Sequence, residues 1–156
     1  MELDRGSAVE KSVLYDLHNH VARIKLNRPK QGNVVNEDNL GLLNQYLDDA
    51  VNDENCRVIV IEGSCGVFSR GMDFKNLLKN SGEEISLEFS RPYIDGVMKI
   101  RNSPKPVIAA IDGEVLAGGM GIALSCDIVL ATEQSLFGLS EVIFGLIPAY
   151  VLPFLL

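Results

Sequence analysis

A chain of 156 residues fits one domain around one core, and 47% apolar with 22% charged residues is the make-up of a folded globular protein rather than a disordered one. The formal net charge of −7, with no cluster of Lys and Arg, excludes a surface built to hold nucleic-acid phosphates. Cys56, Cys65 and Cys126 are odd in number and widely spaced, and the opening MELDRGSAVEK lacks the basic-then-apolar pattern of a secretory signal, so a reducing cytoplasm is the expected setting.

Residues 12–27, SVLYDLHNHVARIKLN, alternate apolar side chains at Val13, Tyr15 and Leu17, turn at HNH and resume at Val21, Ile24 and Leu26, which predicts a hairpin of two antiparallel strands. His18 and His20 have no acidic or thiol partner at metal-ligand spacing and read as a solvated turn. After the polar loop RPKQGNVVN, Asn36 can cap a helix whose Leu40, Leu43, Tyr46, Leu47 and Val51 keep helical spacing. RVIVIEG, 57–63, is a β-branched run closed by glycine and predicts a central strand buried on both faces. SCGVFSRGMD reads as a loop before a short helical piece from Asp73. Ser81 and Glu84 then have capping-box spacing at the start of a helix that Pro92 should break or restart. SPKPVIAAIDG ends that helix and supplies a second buried strand, 107–111. AGGMGIALSCD suggests a helix, IVLAT a short strand, and SLFGLSEVIFG a strand or turn leading into a helix. The final VIFGLIPAYVLPFLL is apolar but holds two prolines and falls short of the ~18 residues of a membrane span, so a buried helix start and turn is expected. No sequence repeat or linker is evident; the recurring order strand, loop, helix favours an α/β fold.

Two loops share one grammar: in VIVIEGSCGVFSRGMDF and VIAAIDGEVLAGGMGIAL a buried strand ends, glycine permits close backbone approach, and a helix begins. First-turn amides lack intrahelical partners and favour negative charge, so AGGMG is either an anion or oxyanion site or a place of close helix packing, since glycines mark both. It lacks the Lys and Ser or Thr of a phosphate loop and is no dinucleotide fingerprint. Cys126, in an apolar setting beside Asp127, reads as a packed residue rather than a nucleophile. Glu141 follows a predicted strand with apolar residues on both sides; it is either a partly desolvated carboxylate suited to proton transfer or an outward first-turn glutamate.

In this order and at these separations, HVARIKLNRPKQGN, VFSRGMDF, SPKPVIAAIDGEVLAGGMGIALSCDIVLAT and FGLSEVIFGLIP resemble the crotonase (enoyl-CoA hydratase/isomerase) superfamily, from about His20 to the end of the chain. The last forty residues are most similar to the hydratase-like dehydratases of polyketide β-branching cassettes. The resemblance implies an α/β fold, a crotonase-like ββα spiral core over 1–156, lacking the C-terminal helices that in the family cover the acyl pocket and join subunits into trimers. It implies a cytoplasmic dehydratase, a hydro-lyase acting on a 3-hydroxyacyl thioester, with 3-hydroxy-3-methylglutaryl-acyl carrier protein as the subfamily's substrate. No metal and no cofactor are implied beyond the CoA or phosphopantetheine that carries the acyl group; the partners are acyl-CoA or acyl carrier protein and, for the completed fold, further copies of the chain.

Residue by residue, the resemblance puts oxyanion-hole amides on Met72 and Gly118 and the acid/base on Glu141. It puts carrier-phosphate contacts within reach of Arg23, Lys25 and Lys75. A second glutamate of the family's hydratases falls on Gly121, which departs from the pattern and keeps two other outcomes open. One is a single-base enoyl thioester isomerase; the other is a catalytically silent fragment that binds acyl carrier protein or another crotonase subunit. If LPFLL is the end of the protein, the face those helices would cover is open, and poor solubility or oligomerisation is expected.

Overall fold

The computed structural model describes residues 11–72, 87–145, 147–149 and 151–154. Strands β1 (Val13–His18) and β2 (Val21–Leu26) form the predicted antiparallel hairpin, with Val13 opposite Leu26. Its two-residue turn is carried by Asn19 and His20 at φ 49° and 67°, the left-handed pair that matches strand twist. His20 Nδ1 lies 2.7 Å from the Asn55 carbonyl, so the ring pins the hairpin to the loop after the first helix. Among the described residues no group of three or more His, Cys, Asp or Glu is placed to hold a metal ion.

Helix α1 (Glu37–Asn52) starts where Asn36 predicts. The Asn39 amide donates to Asn36 Oδ1 at 3.1 Å and the Asn36 amide to Asn39 Oδ1 at 2.9 Å, a reciprocal cap that satisfies two donors. Its buried stripe is Leu40, Leu43, Tyr46, Leu47 and Ala50.

Strand β3 (Val58–Glu62) joins β2 in parallel, and β5 (Val107–Ile111) and β7 (Ile128–Ala131) extend the sheet in the order β1-β2-β3-β5-β7. β3 is central, as its β-branched run predicts. It is not buried on both faces, however: Ile59 and Ile61 are in the core while Val58, Val60 and Glu62 are half-buried. The alternation arises because Ile59 and Ile61 share one apolar cluster with the helix residues Leu43, Leu47, Val97 and Ile100, and the opposite face is left partly open.

A second sheet forms from two stretches expected to be loops together with SLFGLSEVIFG, where the expected strand or turn is a strand. β4 (Val67–Ser69), β6 (Glu114–Leu116) and β8 (Leu136–Gly138) lie side by side, all parallel, in the order β4-β6-β8. β3, β5 and β7 are thus each followed by a short strand in the other sheet. After these come α2 (Leu87–Arg101), α3 (Gly118–Ser125) and a 3-10 turn (Ser140–Phe144) in turn, so the same ββα step is taken three times, the last ending in a 3-10 turn. The corner between β5 and β6 needs glycine: Gly113 has φ 102°, and a Cβ there would lie 1.8 Å from the Gly66 carbonyl oxygen.

Pro92 does not break its helix; α2 runs through it to Arg101. Proline removes one helical donor, but the Pro92 carbonyl accepts from Asn44 Nδ2 at 3.0 Å, and Tyr93, Val97 and Ile100 form a buried stripe. The helical piece expected from Asp73 and the cap expected at Ser81 and Glu84 lie outside the described residues. The C-terminal stretch is only partly buried. Val151 is in the core, whereas Ile143 and Ile147 are 81% and 77% exposed, and a further 3-10 turn (Leu152–Phe154) replaces the expected helix start. Among the described residues no helix is long and apolar enough to cross a membrane.

Candidate active site

The two glycine-bearing loops meet. At the end of β4, Ser69 Oγ donates to the Asn33 carbonyl at 2.9 Å and accepts from the Gly71 amide at 3.1 Å. Asn33 is itself buried, with Nδ2 donating to the Val67 carbonyl at 2.7 Å, so the loop after β2 is bolted to β4. The Gly71 carbonyl accepts from the Val35 amide at 2.7 Å, which takes up the carbonyl and leaves the next amide, Met72, outside that bond.

On the other side β6 ends at Leu116, Ala117 turns at φ 50° and ψ −125°, and α3 begins with Gly118. A Cβ on Gly71 would lie 2.8 Å from the Gly118 nitrogen, and one on Gly118 would lie 3.6 Å from the Met72 nitrogen. The structure therefore brings together the two amides that the sequence singles out. Gly118 is in the first turn of α3, where no intrahelical carbonyl is available to its amide. Among the described residues no hydrogen bond uses the Met72 or the Gly118 amide as donor. Close packing is also real here: a Cβ on Gly119 would lie 2.5 Å from the Ser69 carbonyl oxygen. The glycines of AGGMG thus serve contact and open amides in one turn.

Glu141 stands in the 3-10 turn after β8 and is 8% exposed, with Oε2 buried and without a hydrogen-bond partner among the described residues. Of the two sequence alternatives, the inward one holds. A carboxylate oxygen kept from water with no donor is a costly arrangement, and one that a ligand's proton or donor would relieve.

Tyr93 was not singled out by sequence. It lies on α2, 1% exposed, and its hydroxyl donates to the Gly118 carbonyl at 2.7 Å. Burial first, and then the negative charge of Glu141, hold its phenol well above the ordinary range, so it is protonated throughout the neutral range. Nothing in the pattern marks it, since with Val97 and Ile100 it reads as one more core position at helical spacing.

The basic residues fall elsewhere. Arg23 Nη1 lies 3.2 Å from Glu62 Oε2 and Lys25 Nζ 3.8 Å from Glu62 Oε1, so both are already paired with a carboxylate on the next strand. Lys25 and Glu62 line an open cleft of about 480 Å³ at the C-terminal ends of β3, β5 and β7, together with Asp112 and Thr132; Met72, Gly118 and Glu141 are not among its walls. Lys75 lies outside the described residues. Cys126 is buried, and burial, followed by the neighbouring Asp127, pushes its thiol from 9.0 up to about 12, which suits a packed residue and not a nucleophile.

The model of the enoyl-CoA hydratase/isomerase family matches residues 16–156. Relatives include the bacillaene synthase dehydratase of Bacillus subtilis, 36% identical over 143 residues, with 87% of this chain and 52% of that protein covered. They also include an enoyl-CoA hydratase of Mycobacterium tuberculosis, 33% identical over 137 residues, covering 86% of this chain and 52% of the relative. Among solved structures, an enoyl-CoA hydratase/isomerase from Xanthobacter autotrophicus superposes with a TM-score of 0.81 at 36% identity, over 86% of this chain and 51% of that one. The chain spans about half the length of the curated relatives it matches. With motifs, fold and comparisons in agreement, the chain belongs to the enoyl-CoA hydratase/isomerase family, the crotonase superfamily that its sequence resembles.

Proposed function

We propose that the chain carries the thioester-activating centre of a crotonase-type hydro-lyase. The Met72 and Gly118 amides would bind the thioester oxygen, and Glu141 would move the proton. The Glu141 carboxylate takes the Cα proton of a 3-hydroxyacyl thioester, and the electron pair passes into the carbonyl, whose oxygen is held as an enolate by the two N–H donors. The enolate then collapses: the Cα–Cβ double bond forms, the Cβ–O bond breaks, and the hydroxyl leaves as water with the proton returned by Glu141. One such donor is worth roughly 3 kcal/mol of barrier in a comparable oxyanion hole. The single observation that carries this is the convergence of the two amides, each without an acceptor among the described residues, in a fold whose third ββα step supplies a buried carboxylate with an unpaired oxygen.

The acyl group is proposed to ride on phosphopantetheine of an acyl carrier protein or of CoA. Likeness to the bacillaene synthase dehydratase favours dehydration, and 3-hydroxy-3-methylglutaryl is the acyl group proposed for it. Arg23 and Lys25 would meet carrier phosphates only by exchanging Glu62 for them. A second activity, shift of an enoyl double bond by one shuttling base, is favoured by a specific observation: Gly121 offers no second carboxylate. The working protein is proposed to be a cytoplasmic, trimer-based homo-oligomer, as in its family.

Mass spectrometry of the chain mixed with a 3-hydroxyacyl pantetheine thioester, and ultraviolet absorbance of the chain mixed with a 3-enoyl one, whose shift into conjugation leaves the mass unchanged, separate these. Loss of 18 mass units, one water, from the first supports the hydro-lyase. A moved double bond in the second supports the isomerase, and binding without turnover leaves a silent acyl-binding module. Glu141→Gln should abolish either activity; full turnover in that variant removes Glu141 from its role.

A further inference from the structure

Ala117, immediately before α3, is held at φ 50° and ψ −125°, a conformation that a residue with a Cβ keeps only when its surroundings fix it. That torsion sets the direction of the Gly118 amide. Among the described residues three bonds fix the turn: the Ala117 amide donates to the Gly138 carbonyl at 2.9 Å, the Met120 amide to the Ala117 carbonyl at 2.9 Å, and the Tyr93 hydroxyl to the Gly118 carbonyl at 2.7 Å. The first two are backbone bonds that any sequence of this fold can make. The third depends on one side chain from a different helix.

Room for that side chain depends in turn on Gly121. A Cβ there would lie 2.0 Å from the Tyr93 hydroxyl oxygen, 3.3 Å from its Cζ and 3.6 Å from Val151 Cγ2. The obstacle is thus the oxygen alone, and the ring behind it leaves a methyl group nearly enough space. The hydroxyl cannot retreat to solvent, because Tyr93 is 1% exposed and the helix pair α1 and α2 is packed behind it.

We propose that Tyr93 is a positioning residue of the site: its hydroxyl, lodged against Gly121 and donated to the Gly118 carbonyl, holds the strained turn so that the Gly118 amide faces the thioester oxygen. Gly121 is glycine in this chain because the hydroxyl occupies its side-chain space. Tyr93 touches no reacting atom; it acts through Gly118, anchoring the carbonyl of the residue whose amide it positions. This rests on the oxyanion role proposed above for Gly118.

The test uses the full 156-residue chain and butyryl-pantetheine labelled with 13C at the carbonyl, a thioester that carries no hydroxyl to lose. Bound to the unaltered chain, its carbonyl resonance moves downfield as the amides polarise it. Tyr93→Phe, checked to be folded by a cooperative melt, should still bind the probe but lose most of that displacement. With a substrate that turns over, kcat should fall about tenfold or more while KM stays within about threefold, the mark of an interaction made chiefly in the transition state. The double variant Tyr93→Phe with Gly121→Ser supplies the rescue. A helical serine hydroxyl reaches back to the carbonyl three or four residues earlier, here Gly118 or Ala117, and part of the displacement should return.

Full displacement in folded Tyr93→Phe overturns the proposal and leaves the oxyanion reading standing. No displacement with the unaltered chain overturns the oxyanion reading, and this proposal with it. If Tyr93→Phe does not fold, Tyr93→Phe with Gly121→Ala, which fills the vacated space without supplying a hydroxyl, decides: folding with most of the displacement lost supports the positioning role, and folding with full displacement overturns it.

Discussion

Gly121 and Tyr93 share one volume, and the consequence for stability can be read without any substrate. Gly121→Ala alone places a methyl carbon 2.0 Å from a buried oxygen and should cost about 1–3 kcal/mol, as overpacking does. Adding Tyr93→Phe removes that oxygen, so the double variant should be more stable than Gly121→Ala alone, a coupling that urea melts of the four chains measure. Cys126 gives a second residue-scale expectation. Its thiol keeps its proton to about pH 12 when folded, against 9.0 for an ordinary thiol, so the folded chain binds more protons than the unfolded one between those values. The stability this contributes is complete below about pH 9 and is lost as pH rises towards 12. Urea midpoints should therefore fall with pH above 9 in the unaltered chain and fall less steeply in Cys126→Ala. At this scale the sequence marked what carries polar or conformational oddity. Glu141 stood out as an acid among apolar neighbours and the glycine turns stood out by composition, whereas Tyr93 did not, because its hydroxyl acquires meaning only from a peptide on another helix.

Elements were readable where they were long enough to show a period. The hairpin, α1, β3, β5 and α3 could be drawn from alternation, helical spacing and caps, and Asn36 was identified as the residue that starts α1. Asn36→Ala should lower stability by about 1 kcal/mol, since it removes the acceptor of the Asn39 amide at the helix start; a thermal melt checks this. Strands β4 and β6 have three residues each, too few for alternation to appear, and their partners are one another and β8, far along the chain. Local pattern could not reveal them. Pro92 misled for the opposite reason: its local rule is strong, and tertiary packing of the Tyr93, Val97 and Ile100 stripe outweighs the one helical bond it removes.

For the whole molecule, the last ββα step differs from the first two. All four residues of β7 are exposed, and Leu130, Leu136 and Phe137 add apolar surface beside the exposed Val142 and Ile143. A sheet that ends on an exposed apolar strand invites pairing and association. Light scattering should show the mass of the chain rising with concentration, and Leu130→Lys should lower it; a monodisperse monomer at all concentrations would contradict this. Sequence could place these residues on a strand but could not say that the strand is at an edge, because that depends on strand order and not on composition.

Among the described residues the turn at Asn19 and His20 is the one short connection between neighbours in either sheet; every other neighbouring pair there is parallel and has to wait for a crossover. A chain made from its N-terminus therefore closes the β1-β2 hairpin early, but cannot set Met72 beside Gly118 until β6 exists to dock on β4. Glu141 arrives later still, and Val151, which lies over Gly121, later than that. The order of synthesis is thus an order of assembly, in which the proposed grip on the carbonyl is built before the proposed acid.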